Sequence, residues 1–110
     1  MNMWTNWKSM PSPDQCRNIE GPKGAGVYQI RDRETEQLIQ FGIGVECQKR
    51  MKSLYPAPFG TGKRNNAAKR AFILKNWKRL EFRTLSADTR GQAKLIEDQL
   101  KNLNDHLFNT

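Results

Sequence analysis

Three polar residues stand at positions where a chain built only for packing would not need them. Tyr28 lies in the middle of a predicted strand, Arg50 borders the apolar face of a predicted helix, and Glu97 flanks the apolar stripe of the last predicted helix. These side-chain types can transfer a proton, bind an anion and hold a cation, respectively. A carboxylate beside a core stripe must be paired, protonated or bound to a metal ion.

Each of these residues also has a purely structural interpretation. Glu97 can pair with a neighbouring lysine, and for Glu97 taken alone this interpretation is preferred. Tyr28 can be a core tyrosine whose hydroxyl is satisfied, and Arg50 a surface cation whose stem packs on Met51. Their joint occurrence is therefore more informative than any one of them.

The elements that must position these residues follow from the hydrophobic patterns. Residues 25–31 and 37–43 alternate as strands and flank the charged loop DRETEQ, which predicts a hairpin. Ser12 and Gln15 form a capping box at the start of a short helix that ends near Ile19, and residues 1–11 before it are expected to be a loose arm or one draped over the domain. The remaining elements are helices and one strand: helix 46–55, helix 66–77, strand 79–86, and a closing helix that starts at the capping box of Thr89 and Gln92, with the apolar stripe Ala93, Ile96, Leu100, Leu103 and Leu107.

These elements predict a single α/β (α+β) domain. Its three-stranded antiparallel sheet is flanked by helices in the order β-β-α-α-β-α, after an N-terminal arm and a short helix. We assign residues 1–20 to the arm and short helix and residues 21–110 to the domain proper. At 110 residues the chain has room for one modest core.

The charge distribution indicates a polyanionic partner. The net charge is +8, and the segment from Cys47 to Leu80 contains no acidic residue. Neutralisation by phosphates would relieve the repulsion within this segment, which favours DNA, or alternatively RNA, over a merely solvated basic surface. The cations expected to contact the phosphate backbone are Lys49, Lys63, Arg64, Lys69, Arg70, Lys78 and Arg79.

Several other classes of protein are disfavoured. No apolar run approaches membrane-spanning length, and the N-terminus lacks the pattern of a signal peptide, so we expect a cytoplasmic protein, nucleoid-associated if it is bacterial or phage. Cys16 and Cys47 have no CxxC spacing and no histidine nearby, which predicts free thiols.

The motifs in the hairpin and the last helix resemble those of the GIY-YIG nuclease superfamily. Gly26-Val27-Tyr28 is similar to the family's G-[IV]-Y, Gln40-Phe41-Gly42 to its Y-[IV]-G, and Arg50 to the arginine of the following helix. In the last helix and beyond it, Glu97 and Asn109 match the family's glutamate and later asparagine. The resemblance covers about 24–109.

This resemblance implies a metal-dependent endonuclease that hydrolyses DNA. Tyr28 would act as the general base, and Arg50 would stabilise the phosphate and the tyrosine's phenolate. Glu97 would hold one divalent cation, Mg²⁺ or Mn²⁺. Gly26, Gly42 and Asn109 would be structural parts of the motif.

The sequence also departs from the family pattern. Gln40 replaces the second tyrosine, so it can hydrogen-bond a water or a phosphate but cannot exchange a proton. Ile43 stands where relatives often have lysine, and Leu54 where they often have histidine or tyrosine, with Tyr55 adjacent. Two alternatives therefore stay open: a relative that binds nucleic acid without cutting it, and a basic protein-interaction module. A double-strand cut would require a homodimer.

Overall fold

In the part of the chain that the structure describes, the sheet has four antiparallel strands, one more than the sequence predicted. The computed structural model describes residues 3–55 and 67–109. The additional strand lies in the N-terminal arm and extends the sheet to the order β1-β4-β2-β3. The strands are β1 (Lys8–Ser9), β2 (Gly26–Asp32), β3 (Leu38–Gly44) and β4 (Leu80–Ser86), and the α-helices are α1 (Cys47–Met51), α2 (Ala67–Asn76) and α3 (Arg90–Leu103).

The arm joins the sheet through its backbone. Lys8 and Ser9 pair with Phe82 and Glu81 of β4, and the amide of Thr5 donates to the carbonyl of Thr84 over 2.9 Å. The expectation of a loose or draped arm is therefore wrong for this part of the chain. A two-residue strand carries almost no sequence signal, because its stability comes from the strand it pairs with.

The predicted short helix is present as a 3₁₀ helix at Pro13–Asn18, without the expected capping box. Ser12 Oγ donates to Asp14 Oδ1 over 2.6 Å instead of accepting from a backbone amide. The amide of Gln15 donates to the Ser12 carbonyl over 2.8 Å, which closes the first turn. The cap thus forms through the backbone and not through the serine side chain.

The hairpin of β2 and β3 is confirmed within one residue of the predicted bounds. Asp32 closes it, because Asp32 Oδ1 accepts from the amides of Glu34 and Thr35 over 2.8 and 3.1 Å. Glu36 adopts a left-handed conformation with φ of 61°. A bulge between Ile30 and Arg31 shifts the register of the hairpin by one residue.

The helices cover both faces of the sheet and form two cores. Met51 of α1 and Ile73 of α2 pack with Ile30 of β2. On the other side Ala93 of α3 packs with Val27 of β2. Cys16 and Cys47 are free thiols, as predicted, and both are buried. Among the described residues, no helix combines the length and the hydropathy needed to cross a bilayer.

The last helix is shorter than its apolar stripe suggested. It ends at Leu103, where Asn104 has φ of 52°, and the chain turns back. The amides of Leu107 and Phe108 then donate to the carbonyls of Leu38 and Ile39 on β3, over 3.0 and 2.8 Å. Leu103 and Leu107 are therefore exposed, because the backbone pairing of this segment and not a helical stripe determines its position.

A buried polar chain links this returning segment to the sheet. Arg83 Nε donates to Gln29 Oε1 over 2.7 Å, which orients the amide so that Gln29 Nε2 faces His106 Nε2 at 3.0 Å. His106 Nε2 must therefore accept, and the neutral ring carries its proton on Nδ1, 3.0 Å from Asp105 Oδ1. Trp4 and Trp7 stack on the Arg83 guanidinium at 4.4 and 4.6 Å.

We predict that the His106 ring makes stability fall in mild acid. Burial lowers the pKa of His106, with Arg83 adding to the effect and Asp105 opposing it. As the pH falls, the unfolded chain therefore takes up the proton first. The contribution of the neutral His106 ring to the free energy of unfolding is complete above about pH 6.5 and decreases as the pH falls below it.

Urea unfolding of the parent and of His106→Gln at several pH values measures this contribution. The difference in unfolding free energy between the two proteins isolates the histidine, because their other titrating groups are the same. We expect the difference to shrink between about pH 7 and about pH 5. A difference that stays constant over this range would contradict the prediction.

Candidate active site

The position of Tyr28 depends on the absence of a side chain at residue 42. Tyr28 and Gly42 are directly paired across β2 and β3. A Cβ at residue 42 would lie 2.6 Å from Tyr28 Cζ, closer than carbon atoms pack, so the phenol ring lies directly against the glycine. The packed ring is 4 % exposed, and the residue lines a cavity beside β3.

Arg50 is held close to the same hairpin by α1. A Cβ at Gly44 would lie 3.0 Å from Arg50 Cβ, so the helix approaches the strand closely. Arg50 Nη1 donates to Ser53 Oγ over 3.0 Å, and the Ser53 hydroxyl donates to the Arg50 carbonyl over 2.6 Å. This pair of hydrogen bonds orients the guanidinium.

Ser53 also connects α1 to α2. Arg70 Nε donates to the Ser53 carbonyl over 2.9 Å. Arg50 and Arg70 are thus anchored to the hydroxyl and the carbonyl of a single residue. The sequence pattern did not single out Ser53, because a serine after a short helix is common and its two partners are distant from each other in sequence.

Glu97 enters the site from α3, where Lys94 pairs both with it and with Asp98. Lys94 Nζ lies 3.1 Å from Glu97 Oε1 and 2.9 Å from Asp98 Oδ1. The lysine pairing considered from the sequence is therefore present. The Glu97 side chain is 17 % exposed and that of Asp98 is 50 % exposed, and Glu97 is the one that lines the cavity.

These residues meet around one cavity of about 350 Å³ at the β3 edge of the sheet. Residues from both layers of helices contribute to it, so it combines groups that are far apart in the chain. Within the described part of the chain, the polar residues that line it are Tyr28, Gln40, Arg50, Ser53, Lys69, Arg70 and Glu97.

Gln40 offers an unused hydrogen-bond donor at this cavity. Its side chain is buried, with the residue 2 % exposed, and its Nε2 has no partner in the described part of the chain. A buried amide without a partner costs about 1–3 kcal/mol, which an acceptor bound in the cavity would recover. The polar lining therefore contains a donor suited to an oxygen ligand.

The electrostatics of the cavity favour anions. Burial raises the pKa of Tyr28 to about 12, although Arg50 opposes this shift. Burial together with the charges of Arg50 and Arg70 lowers the pKa of Lys69 from its usual value, and Glu97 opposes the decrease. The described lining residues include three cations and one carboxylate, so an added phosphate would gain charge complementarity.

The other predicted phosphate contacts are dispersed. Lys49 lies 3.8 Å from Glu46 at the exposed start of α1, and Arg79 pairs with Asp32 at 2.7 Å. Lys78 packs over Trp77 at 5.8 Å. None of these three belongs to the cavity lining, whereas Lys69 and Arg70 do. Lys63 and Arg64 lie outside the described residues.

The motif residues outside the cavity have packing roles. A Cβ at Gly26 would lie 2.9 Å from the Leu85 carbonyl oxygen, so strand packing requires a small residue there. Asn109 Nδ2 donates to the Lys101 carbonyl over 3.0 Å, which ties the chain end to α3. Tyr55 does not replace the missing family residue, because its buried hydroxyl donates to the Pro11 carbonyl over 2.6 Å.

The donor set of the cavity suits a hydrated hard cation better than a metal enclosed by protein. Within residues 3–55 and 67–109, no three or more histidine, cysteine, aspartate or glutamate side chains gather as a metal site. Glu97 supplies one carboxylate, which Mg²⁺ or Mn²⁺ can share with water and phosphate oxygens. The Glu97 carboxylate has lone pairs beyond the one that faces Lys94.

Comparisons with models of protein families, with curated proteins and with solved structures found no match for this chain.

We predict that Gly42→Ala destabilises the protein by about 1–3 kcal/mol, because the added methyl group overlaps the Tyr28 ring. Gly24→Ala is the matched control, since a Cβ at residue 24 meets nothing within 4 Å. Urea unfolding of both variants measures the effect. Equal stability of the two variants would show that the contact of Tyr28 with Gly42 does not constrain the hairpin.

Proposed function

We propose that this chain is an endonuclease of the GIY-YIG type that hydrolyses phosphodiester bonds in DNA with one divalent cation. The observation that carries the proposal is the convergence of Tyr28, Arg50 and Glu97 on one cavity from three separate elements. Purely structural roles for these three residues would not require them to share a cavity. Phosphodiester hydrolysis needs a base, a phosphate-binding cation and a metal ligand at one place.

Arg50 supports the phosphate-binding part of the proposal. Its link to Ser53 holds the guanidinium at the cavity before a ligand arrives, so little entropy is lost on binding. Arg70 is held in the same way. Non-bridging oxygens of a phosphate would accept from these guanidinium groups, and Gln40 Nε2 would donate to a further oxygen or to the attacking water.

Tyr28 is the proposed base. Its ring is fixed against Gly42, so its hydroxyl has a defined place for taking a proton from water. With its pKa raised to about 12, only a small fraction is phenolate at neutral pH. The bound cation and Arg50 would stabilise that phenolate, because both place positive charge beside it.

Glu97 is the proposed metal ligand. A bound Mg²⁺ or Mn²⁺ would supply positive charge to the phosphate oxygens during the reaction. Lys94 shares the carboxylate, and it is 43 % exposed, so this ammonium can move into solvent when a cation binds. Asp98 remains as its partner at 2.9 Å.

The same features also describe the alternative of a protein that binds nucleic acid without cutting it. The existing pair of Glu97 with Lys94 and the high pKa of Tyr28 are what an inactive cavity would show. The two functions differ in one outcome, since only the nuclease produces metal-dependent cleavage.

The metal ligand is tested by Glu97→Gln, which we expect to abolish cleavage while DNA affinity stays equal or rises slightly. Removal of a negative charge near phosphate does not weaken binding. Asp98→Asn is the matched control, because it removes the same charge from the other partner of Lys94 and lies more exposed to solvent.

Cleavage of a labelled duplex in Mg²⁺ and binding in EDTA are measured for both variants. We expect Asp98→Asn to keep most of the parent's activity. Full activity of Glu97→Gln would remove this residue from the metal role.

The base is tested by the pH dependence of cleavage. Because the pKa of Tyr28 is raised to about 12, the phenolate fraction grows about tenfold for each pH unit below that value. We expect the parent's rate to rise in this way between about pH 7 and about pH 9. Tyr28→Phe should lose about 100- to 10,000-fold in rate together with this slope.

A metal-bound water that loses its own proton would give a similar slope in the parent. Only Tyr28→Phe distinguishes the phenolate from the metal-bound water as the source of the slope, because this variant keeps the metal ligand and lacks the phenol. If Tyr28→Phe cuts as fast as the parent with the same pH profile, Tyr28 is not the base.

A further inference from the structure

Lys69 occupies a position that the sequence did not reveal. From the sequence it was one of several cations expected along the phosphate backbone, and Ile43 indicated that no lysine assists the chemistry. In the structure Lys69, in the first turns of α2, lines the cavity together with Tyr28, Arg50 and Glu97. The amine of Lys69 thus enters the site from α2, whereas the family pattern often has its lysine on β3, at the position of Ile43.

Among the described residues, the chemistry of the other groups that line the cavity leaves one task unassigned. Hydrolysis of a phosphodiester leaves negative charge on the departing oxygen, which must gain a proton. Arg50 and Arg70 are anchored to Ser53 by hydrogen bonds, and a guanidinium is a poor proton donor. In the proposed function Glu97 holds the metal and Tyr28 accepts the proton of water, so neither is available as the acid.

We propose that the Lys69 ammonium is the general acid that protonates the leaving oxygen, an inference that rests on the proposed function. As the water oxygen bonds to phosphorus, the bond from phosphorus to the leaving oxygen breaks. The proton of the water goes to the Tyr28 phenolate, and the leaving oxygen takes a proton from Lys69 Nζ. Tyr28 then releases its proton to solvent and the Lys69 amine regains one from solvent, so charge and protons balance.

The surroundings of Lys69 suit this role. The residue is half-buried, and its pKa is lowered by burial and by the nearby charges of Arg50, Arg70 and Lys101, while Glu97 opposes the decrease. An ammonium with a lowered pKa gives up its proton more readily than a solvated one. A residue that only seats the backbone would gain nothing from losing its charge.

The test compares a natural leaving group with one that needs no acid. The leaving oxygen is first identified from the end groups of the products of an unmodified duplex. The same duplex is then prepared with sulfur in place of that bridging oxygen, since a thiolate departs without protonation. Single-turnover rates and KM are measured on both duplexes for the parent, Lys69→Ala and Lys69→Arg.

We expect Lys69→Ala to cut the oxygen duplex about 100- to 10,000-fold more slowly than the parent, and the sulfur duplex within about threefold of it. Lys69→Arg should show the same contrast with an unchanged KM, because it keeps the charge and cannot supply the proton. Lys75→Ala, an exposed change on the same helix with the same loss of charge, should behave as the parent does.

An equal loss on both duplexes would overturn the proposal, since Lys69 would then serve binding alone. Full activity of Lys69→Arg on the oxygen duplex would overturn it as well, because charge would then be sufficient. If the parent cuts neither duplex, the proposed function itself fails and this inference fails with it. These outcomes are distinct, so an error about Lys69 cannot be mistaken for the absence of nuclease activity.

Discussion

The contact between the Tyr28 ring and the backbone of Gly42 is the constraint on which the rest of the site depends. The two residues face each other across the hairpin, and only a residue without a side chain leaves room for the ring. The ring in turn fixes where the hydroxyl lies relative to α1, because Gly44 on the same strand allows Arg50 to approach closely. One cross-strand pair therefore positions a phenol and a helix against each other.

The electrostatics of the cavity follow from this arrangement. Burial and the surrounding cations act in opposite directions on an anion in the cavity. Burial of Tyr28 raises its pKa to about 12, which disfavours the phenolate. Arg50, Lys69 and Arg70 lie around the same cavity and would stabilise any anion there, whether a phenolate or a phosphate. The mutual repulsion of these like charges is reduced by Glu97, and Ser53 accepts one hydrogen bond from each arginine. A ligand with several negatively charged oxygens would complete the balance.

The sequence predicted the parts of the fold whose stability is local. The alternating strands of the hairpin and the cap of α3, where the amide of Gln92 donates to Thr89 Oγ1 over 3.1 Å, were found close to their predicted bounds. The helix after Glu46 begins where it was predicted, but its α-helical part ends at Met51 and a 3₁₀ helix continues it to Leu54. The sequence missed β1, because that strand exists only by pairing with β4. It extended the apolar stripe of α3 to Leu107, since periodicity alone does not show that Asn104 turns the chain toward β3.

The candidate site was predictable where residues carry a motif and unpredictable where tertiary contacts bring them together. Tyr28, Gln40, Arg50 and Glu97 were identified in advance and do share one cavity. Ser53 was missed, and Lys69 was predicted only to contact the phosphate backbone of DNA. The positions of both residues at the cavity depend on how α2 packs against α1. Lys49, Lys78 and Arg79 lie outside this cavity, since charge runs along a chain do not specify one surface.

The most direct measurement for this account is the cleavage of supercoiled plasmid and of a labelled duplex by the purified parent protein. Both substrates are incubated with Mg²⁺ or Mn²⁺ and, in parallel, with the same protein in EDTA, and the ends of any products are analysed. We predict nicks that require the cation and that leave a phosphate on one side and a hydroxyl on the other. Tight DNA binding without cleavage at any pH or with either cation would contradict it and favour a binding protein.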